Sequence, residues 1–258
     1  MITSNSNSKI KYVSNLLTNA KARRDERAFV VEGARIVREI PKDKIIECFI
    51  SESFSDKSII PDGVNVEVVS DQVFKKMADT RTPQGILCVV SSIKRDVEDY
   101  LQEIEKSSKD GIKLLVLEGL QDPGNMGTII RTAEGAGFDG IICDNKTVDI
   151  YNPKVTRSTM GSLFRVPVMY TDDILGTVDK LKAYGVKICA AHLKGTIDYD
   201  EVDYGKKIAI LIGNEGNGLS DEISDKSDLL VRIPMGGKLE SLNAAVAAAL
   251  LMYKVRKK

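Results

Sequence analysis

Near the start of the chain the hydrophobic positions fall at Ile10, Val13, Leu16 and Leu17, the spacing of one helix face, which predicts a helix over residues 8–20. The pattern then breaks into short runs. "AFVVEG" (28–33), "IIECFIS" (45–51) and "GILCVVSS" (85–92) are apolar stretches of strand length. "ARIVREI" (34–40) and "DQVFKKMAD" (71–79) read as helices, the second opened by Asp71 as its cap. This alternation predicts a compact α/β unit. From about 92 to 111 apolar density falls and charge rises, which predicts a short helix running into a polar turn and a domain boundary at Ser107 to Gly111.

The second half alternates again. Strands are predicted at 112–119, 140–144, 166–170, 186–192, 207–213 and 228–234, with helices over 124–137 and 172–185 and a last one near the C-terminus. Strands apolar along nearly their whole length and separated by helices predict a mainly parallel sheet covered on both faces. The 258 residues thus divide into two α/β domains, 1–107 and 108–258.

Composition narrows the chemistry. No apolar run approaches the roughly 20 residues of a membrane span, and "MITSNSNSKIKYVSN" lacks the apolar core of a signal peptide, so a cytoplasmic protein is expected. Cys48, Cys88, Cys143 and Cys189 lie far apart inside apolar runs and read as buried thiols. The single histidine, His192, excludes a metal centre built from several imidazoles; it reads as a polar residue just past a strand, and no metal is expected. Formal charge is +0, but the average hides a gradient: residues 1–24 hold Lys9, Lys11, Lys21, Arg23 and Arg24 with no acid, and the chain ends "KVRKK". Such clusters are either a solvated helix face or a phosphate-binding surface.

Ligands of parallel sheets bind where strands end, and three loops at predicted strand ends are polar and glycine-rich. The first, "LEGLQDPGNMGTIIRTAEGAGF", has neither the lysine of a P-loop nor the GxGxxG order; Asn125 sits where a helix could begin, as a cap or as a ligand of an anion, with Arg131 six residues on. The second, "LIGNEGNGLSDE", places Glu215 just after a strand, in a turn that asparagine and glycine also favour for backbone freedom alone. In the third, "IPMGGKLESLNAAVAAALL", a cap at Ser241 accounts for one of the two polar residues at the helix mouth and leaves Asn243 unexplained.

Taken in series, Asn125 with Arg131, "GNEG" at 213–216, and "IPM" at 233–235 with "SLN" at 241–243 resemble the SpoU/TrmH family of RNA ribose 2′-O-methyltransferases, within the larger SPOUT class. "FVVEGARIVREI" and "DTRTPQGILCVV" are similar to the ribosomal-protein-like α/β substrate-binding domain often fused to that enzyme. The resemblance implies a trefoil-knotted SPOUT domain at the C-terminus, an RNA-binding domain at the N-terminus, and a homodimer that completes the site. It implies S-adenosylmethionine as cofactor, held by Gly213, Asn214, Ile233, Met235 and Leu242. It also implies that Asn125, Arg131, Glu215, Ser241 and Asn243 form the catalytic group.

A guanidinium is a poor base, so Arg131 is expected to orient the target phosphate and lower the pKa of the ribose hydroxyl, while the other four hold the ribose. Lys9, Lys11, Lys21, Arg23 and Arg24 are the expected phosphate contacts. The expected substrate is ribosomal RNA of the large subunit. The alternatives are transfer RNA, a non-catalytic RNA-binding protein of the same fold, and a small-molecule-binding α/β protein.

Overall fold

A computed structural model describes residues 1–107 and 111–256. Most of the predicted boundary turn, and Lys257 and Lys258 of the basic C-terminus, lie outside the described residues. The first elements are α1 (Ser8–Thr18), α2 (Ala20–Glu26), β1 (Ala28–Glu32), α3 (Ala34–Val37), β2 (Ile45–Ser51), β3 (Val66–Val69), α4 (Asp71–Met77) and β4 (Ile86–Ser91). Then come α5 (Val97–Ser107), β5 (Lys113–Leu117), α6 (Pro123–Gly135), β6 (Gly140–Asp144), α7 (Pro153–Thr159), β7 (Val168–Thr171) and α8 (Ile174–Ala183). The chain continues through β8 (Lys187–Ala191), β9 (Ile197–Asp198), β10 (Ile208–Ile212), α9 (Asp221–Asp225), β11 (Leu229–Arg232) and α10 (Ala244–Lys254). Among the described residues no helix is long and apolar enough to cross a membrane.

Two compact units result, one of 1–93 with 149–164 and the other of 94–148 with 165–258. In the first, β1-β4-β2-β3 form a sheet, antiparallel except between β2 and β3. One face carries a core of Leu16, Phe49, Phe74 and Met77, with Ile10 and Val13 on the predicted stripe of α1. Phe29 of β1 packs against Tyr151, ring centroids 4.3 Å apart, and against Phe164 at 6.4 Å. Segment 149–164, expected with the C-terminal domain, is therefore core material of this unit. The Tyr151 hydroxyl donates to the Ile93 carbonyl at 2.8 Å and accepts from its N–H at 2.9 Å. The N-cap position of the helix after β3 falls on Ser70, whose side chain makes no capping bond; Asp71 is the first helical residue and accepts from the Ser53 N–H and hydroxyl.

The second unit is a seven-stranded sheet in the order β7-β6-β5-β10-β8-β11-β9, parallel throughout. Every residue of β5, β6 and β10 is buried, as strands covered on both faces require. The helix at the expected boundary, α5, belongs here: Val97, Tyr100, Leu101 and Ile104 repeat at three and four residues and enter the core beside Ile112 and Leu181. All four cysteines are buried thiols, one each in β2, β4, β6 and β8. Because the strands are parallel, the loops after β5, β10, β8 and β11, which are successive neighbours, all leave one edge.

The basic N-terminal residues diverge in role. Arg23 is 5% exposed; its guanidinium donates to the Leu16 carbonyl at 2.7 Å, to that of Leu17 at 3.3 Å and to Asp149 at 2.8 Å. It ties α1 and α2 to segment 149–164, which corrects its expected role as a phosphate contact. Lys9 pairs with Glu47 and Glu67, and Lys21 with Asp25. Of the five, Lys11 and Arg24 are exposed with no side-chain partner among the described residues. Replacing Arg23 by alanine strands two carbonyls and a carboxylate, so Arg23→Ala is expected to destabilise the protein by about 3 kcal/mol. Urea denaturation checks this, with a lowered midpoint as the outcome.

Candidate active site

Three loops at the common strand edge supply the site. The first follows β5 and leads into α6, whose N-cap is Asp122 with Pro123 as the first helical residue. Asp122 Oδ1 accepts from the Asn125 N–H at 2.8 Å. Asn125 is thus not the cap, and its side chain is free for other work.

The loop after β10 is closed by a reciprocal pair of 2.9 Å bonds between the backbones of Asn214 and Gly218. A Cβ on Gly213 would stand 2.1 Å from the Gly218 carbonyl carbon, so the turn itself demands glycine there. Asn214 spends its carboxamide on the loop, accepting from Gly216 at 2.8 Å and Asn217 at 3.2 Å and donating to the Gly119 carbonyl at 2.8 Å. Asn214, an expected cofactor contact, thus commits both backbone and side chain to shaping the loop. The Glu118 carboxylate braces the far end, accepting from the Ser220 N–H at 2.8 Å and its hydroxyl at 2.7 Å.

In the third loop the cap of α10 is Asn243, not Ser241: its Oδ1 accepts from Ala245 at 2.9 Å and Val246 at 3.3 Å. That fixes the amide. With the oxygen turned to the helix, the Asn243 nitrogen must donate, and it does so to Asn125 Oδ1 at 2.9 Å. The Asn125 nitrogen then donates to Glu215 Oε1 at 3.0 Å. Glu215 also accepts from the backbone N–H groups of Asp122 at 3.0 Å and Gln121 at 3.1 Å. Three of the five expected catalytic residues therefore form one relay joining the three loops. Burial pushes the Glu215 carboxyl up, but the bonds from Asn125, Gln121 and Asp122 outweigh it and hold the group below the usual carboxylate range. It is ionised at neutral pH and a weak base.

Arg131 and Ser241 stand apart from the relay. Both are exposed, and among the described residues neither side chain makes a hydrogen bond or ion pair. Six residues along α6 turn Arg131 by roughly 120° from Asn125. It shares the stripe of Thr128, three residues before it, and Thr128 lines an apolar groove with Tyr199, Val246, Ala249, Leu250 and Tyr253. The helix α10 is apolar all round, so its outward face leaves Val246 48% and Tyr253 47% exposed.

From Ile233 to Leu242 no backbone N–H or C=O is hydrogen-bonded within the chain, among the described residues. Ile233, Met235 and Leu242 are half-buried, and a Cβ on Gly236 or Gly237 would meet no protein atom within 4 Å. Free backbone donors and acceptors beside half-buried apolar side chains suit an adenosine group. The turn after β8 closes the edge. Its His192 N–H donates to the Val231 carbonyl at 2.9 Å, and its Gly195 lies so close to β11 that a Cβ would stand 2.6 Å from the Val231 carbonyl carbon. The sequence reading missed this turn, and it also missed Gln121, Asp122 and Glu118; of these only Asp122 had a signal, the Asp-Pro start of a helix.

Residues 113–253 match the SpoU rRNA Methylase family, and residues 7–88 match an MRM3-like substrate binding domain. The chain belongs to the SpoU rRNA methylase family. A relative from Bacillus subtilis (strain 168), the 23S rRNA (guanosine(2553)-2′-O)-methyltransferase RlmP, is 35% identical over 257 residues, 99% of this chain and 98% of its own. The crystal structure of an AdoMet-bound rRNA methyltransferase from Sinorhizobium meliloti superposes with a TM-score of 0.86 at 29% identity, covering 98% of this chain and 96% of that one. The SpoU methyltransferase AviRb from Streptomyces viridochromogenes, in complex with AdoMet, gives 0.84 at 25% identity over 96% of this chain and 97% of its own. As a family member the chain is an RNA 2′-O-methyltransferase that uses S-adenosylmethionine.

Two outcomes test the relay. Asn243→Asp keeps a cap oxygen and loses the donor to Asn125, so the unfolding midpoint is expected to stay while methyl transfer falls by about 10–100-fold. Glu215 has a lowered folded pKa, so its contribution to stability is complete above the ordinary carboxylate range and is lost as pH falls through the folded value. The stability difference between wild type and Glu215→Gln, measured by denaturation across pH, is expected to be constant near neutrality and to close in acid.

Proposed function

We propose that this protein methylates a ribose 2′-oxygen in 23S ribosomal RNA, in the cytoplasm, as a homodimer with a trefoil-knotted C-terminal fold. The observation that carries the reading is the Asn243–Asn125–Glu215 relay, set beside ten residues of unbonded backbone at the strand edge. The full-length likeness to RlmP supports ribosomal over transfer RNA. The first unit serves as the RNA-binding part and the second as the methyltransferase.

Bound S-adenosylmethionine supplies an electrophilic methyl group on a sulfonium. Ile233, Met235 and Leu242 would hold it through their open backbone and half-buried side chains. It would give that methyl to the ribose oxygen and depart as a neutral thioether, with the hydroxyl proton passing to solvent. No side chain of the relay has a pKa suited to taking that proton at pH 7, so the chain's contribution is placement and charge. Effective alignment alone is worth about 7–11 kcal/mol. Arg131 binds the adjoining phosphate and favours the alkoxide, with Ser241 on the ribose and Asn125 holding the loops around it.

Since Arg131 faces away from its own relay, it serves the site of a second protomer. The apolar groove of α6 and α10 is the surface that a two-fold dimer would cover. The test incubates the protein with methyl-labelled S-adenosylmethionine and separate pools of ribosomal and transfer RNA. Alkali-resistant label is expected in the ribosomal pool. Arg131→Ala should abolish it while remaining dimeric, and Tyr253→Asp should abolish it as a monomer in sedimentation. Label confined to transfer RNA would overturn the substrate, and a fully active monomer would overturn the dimer.

A further inference from the structure

Resting on the reading of the chain as an RNA methyltransferase, we propose that its first unit grips RNA through Arg35, Arg81 and Lys154, three cations set around one braced loop. The loop is residues 78–85, between α4 and β4. Glu32, at the end of β1 and 6% exposed, spends its whole carboxylate on it. One oxygen accepts from the N–H groups of Asp79 at 2.9 Å and Thr80 at 3.3 Å, and the other accepts from the Thr80 hydroxyl. At the loop's far end Gln84 Oε1 accepts from the Ala34 N–H at 2.8 Å. Gly85 has φ +80°, and a Cβ there would stand 2.6 Å from Ser51 Oγ. Arg157 of α7 adds an ion pair to Asp79. A loop tied down by β1, α3 and α7 has little freedom left to lose when it binds.

The three cations lie at these ties. Arg81 follows Thr80, Arg35 follows Ala34, and Lys154 precedes Arg157 by three residues on the same helix face. All three are exposed, and among the described residues none of their charged groups makes a hydrogen bond or ion pair. Of the acids bonded within this loop, Glu32 is buried beneath it and Asp79 is paired with Arg157. Uncompensated positive charge on rigid backbone is what phosphate positioning requires, and two guanidiniums can each take a phosphate through paired donors. The helices at the start of the chain offer less, because Lys9, Lys21 and Arg23 are already engaged. The face is composite, since Lys154 lies in the stretch that matches the methylase family.

The full-length wild type, the Arg35→Ala/Arg81→Ala/Lys154→Ala variant and a Lys11→Ala/Arg24→Ala variant are titrated with an unmodified 23S rRNA transcript over a series of salt concentrations. Melting temperature and S-adenosylmethionine binding are measured on the same preparations. The triple variant is expected to melt and bind cofactor as wild type does, to bind RNA at least about ten-fold more weakly, and to show a salt slope shallower by about 2. Its KM for RNA rises at a kcat close to wild type, and restoring lysine at position 81 recovers part of the affinity. The Lys11/Arg24 variant stays within about two-fold of wild type. Unchanged affinity and slope in the triple variant, or a loss found instead in the Lys11/Arg24 variant, would overturn this proposal and leave the methyltransferase reading intact. A wild type that neither binds RNA nor transfers methyl would refute that reading, and this proposal with it.

Discussion

The first N–H groups of α10 have no acceptor inside their helix, and Asn243 supplies one with its amide oxygen. Aspartate or serine would satisfy that demand equally well. Only asparagine can meet it and still donate from the other end of the same planar group. Once its oxygen is committed, each later polarity is forced: the Asn125 oxygen must accept, its nitrogen must donate, and the group receiving that donor is best an anion. Glu215 is that anion, and its remaining capacity gathers the backbone of Gln121 and Asp122. A helix-capping requirement thus becomes the orientation of a site drawn from three loops.

The cost of such a relay is that its members have little left to give. Glu215 accepts three donors and is held ionised, which makes it a fastener of loops and not a proton acceptor. Asn214 is consumed in the same way. What remains open toward a ligand is backbone from Ile233 to Leu242, the Ser241 hydroxyl and the Arg131 guanidinium. A site with fixed donors and no neutral-pH base suits a reaction in which the electrophile is already activated and alignment is the larger part of the barrier.

Periodicity in the sequence revealed the elements whose burial is one-sided or complete, and was silent where polar residues are core. β5, β6 and β10 were legible because nearly every position is apolar, with Lys113 and Asp144 at strand ends. α7 was not: Thr156 and Thr159 are 2% and 1% exposed, and their hydroxyls bond to carbonyls of their own helix, so core positions read as surface. β3 and β9 are short and partly exposed, which leaves no pattern to find. The stripe of α5 identified a helix with one apolar face, but no stripe says which core it serves. Within the site, the motifs marked Asn125, Glu215 and Asn243, which the structure joins by hydrogen bonds, whereas the exchange of capping duty between Ser241 and Asn243 depends on where the helix begins, to within two residues. A buried arginine such as Arg23 carries no sequence mark at all, since its burial is decided by an aspartate 126 positions away.

That last contact also explains why a continuous division of the chain does not coincide with its packing. Phe29 belongs to a strand of the first sheet, yet the rings that cover it, Tyr151 and Phe164, come from a segment inside the stretch matching the methylase family. Asp149 from the same segment neutralises Arg23, and its helix pairs with the loop over Glu32. The first unit is therefore incomplete without residues that the second half encodes. Segment 149–164 belongs to the core of the first unit, so a change in it acts first on the stability of that unit, even though the segment lies within the methylase stretch.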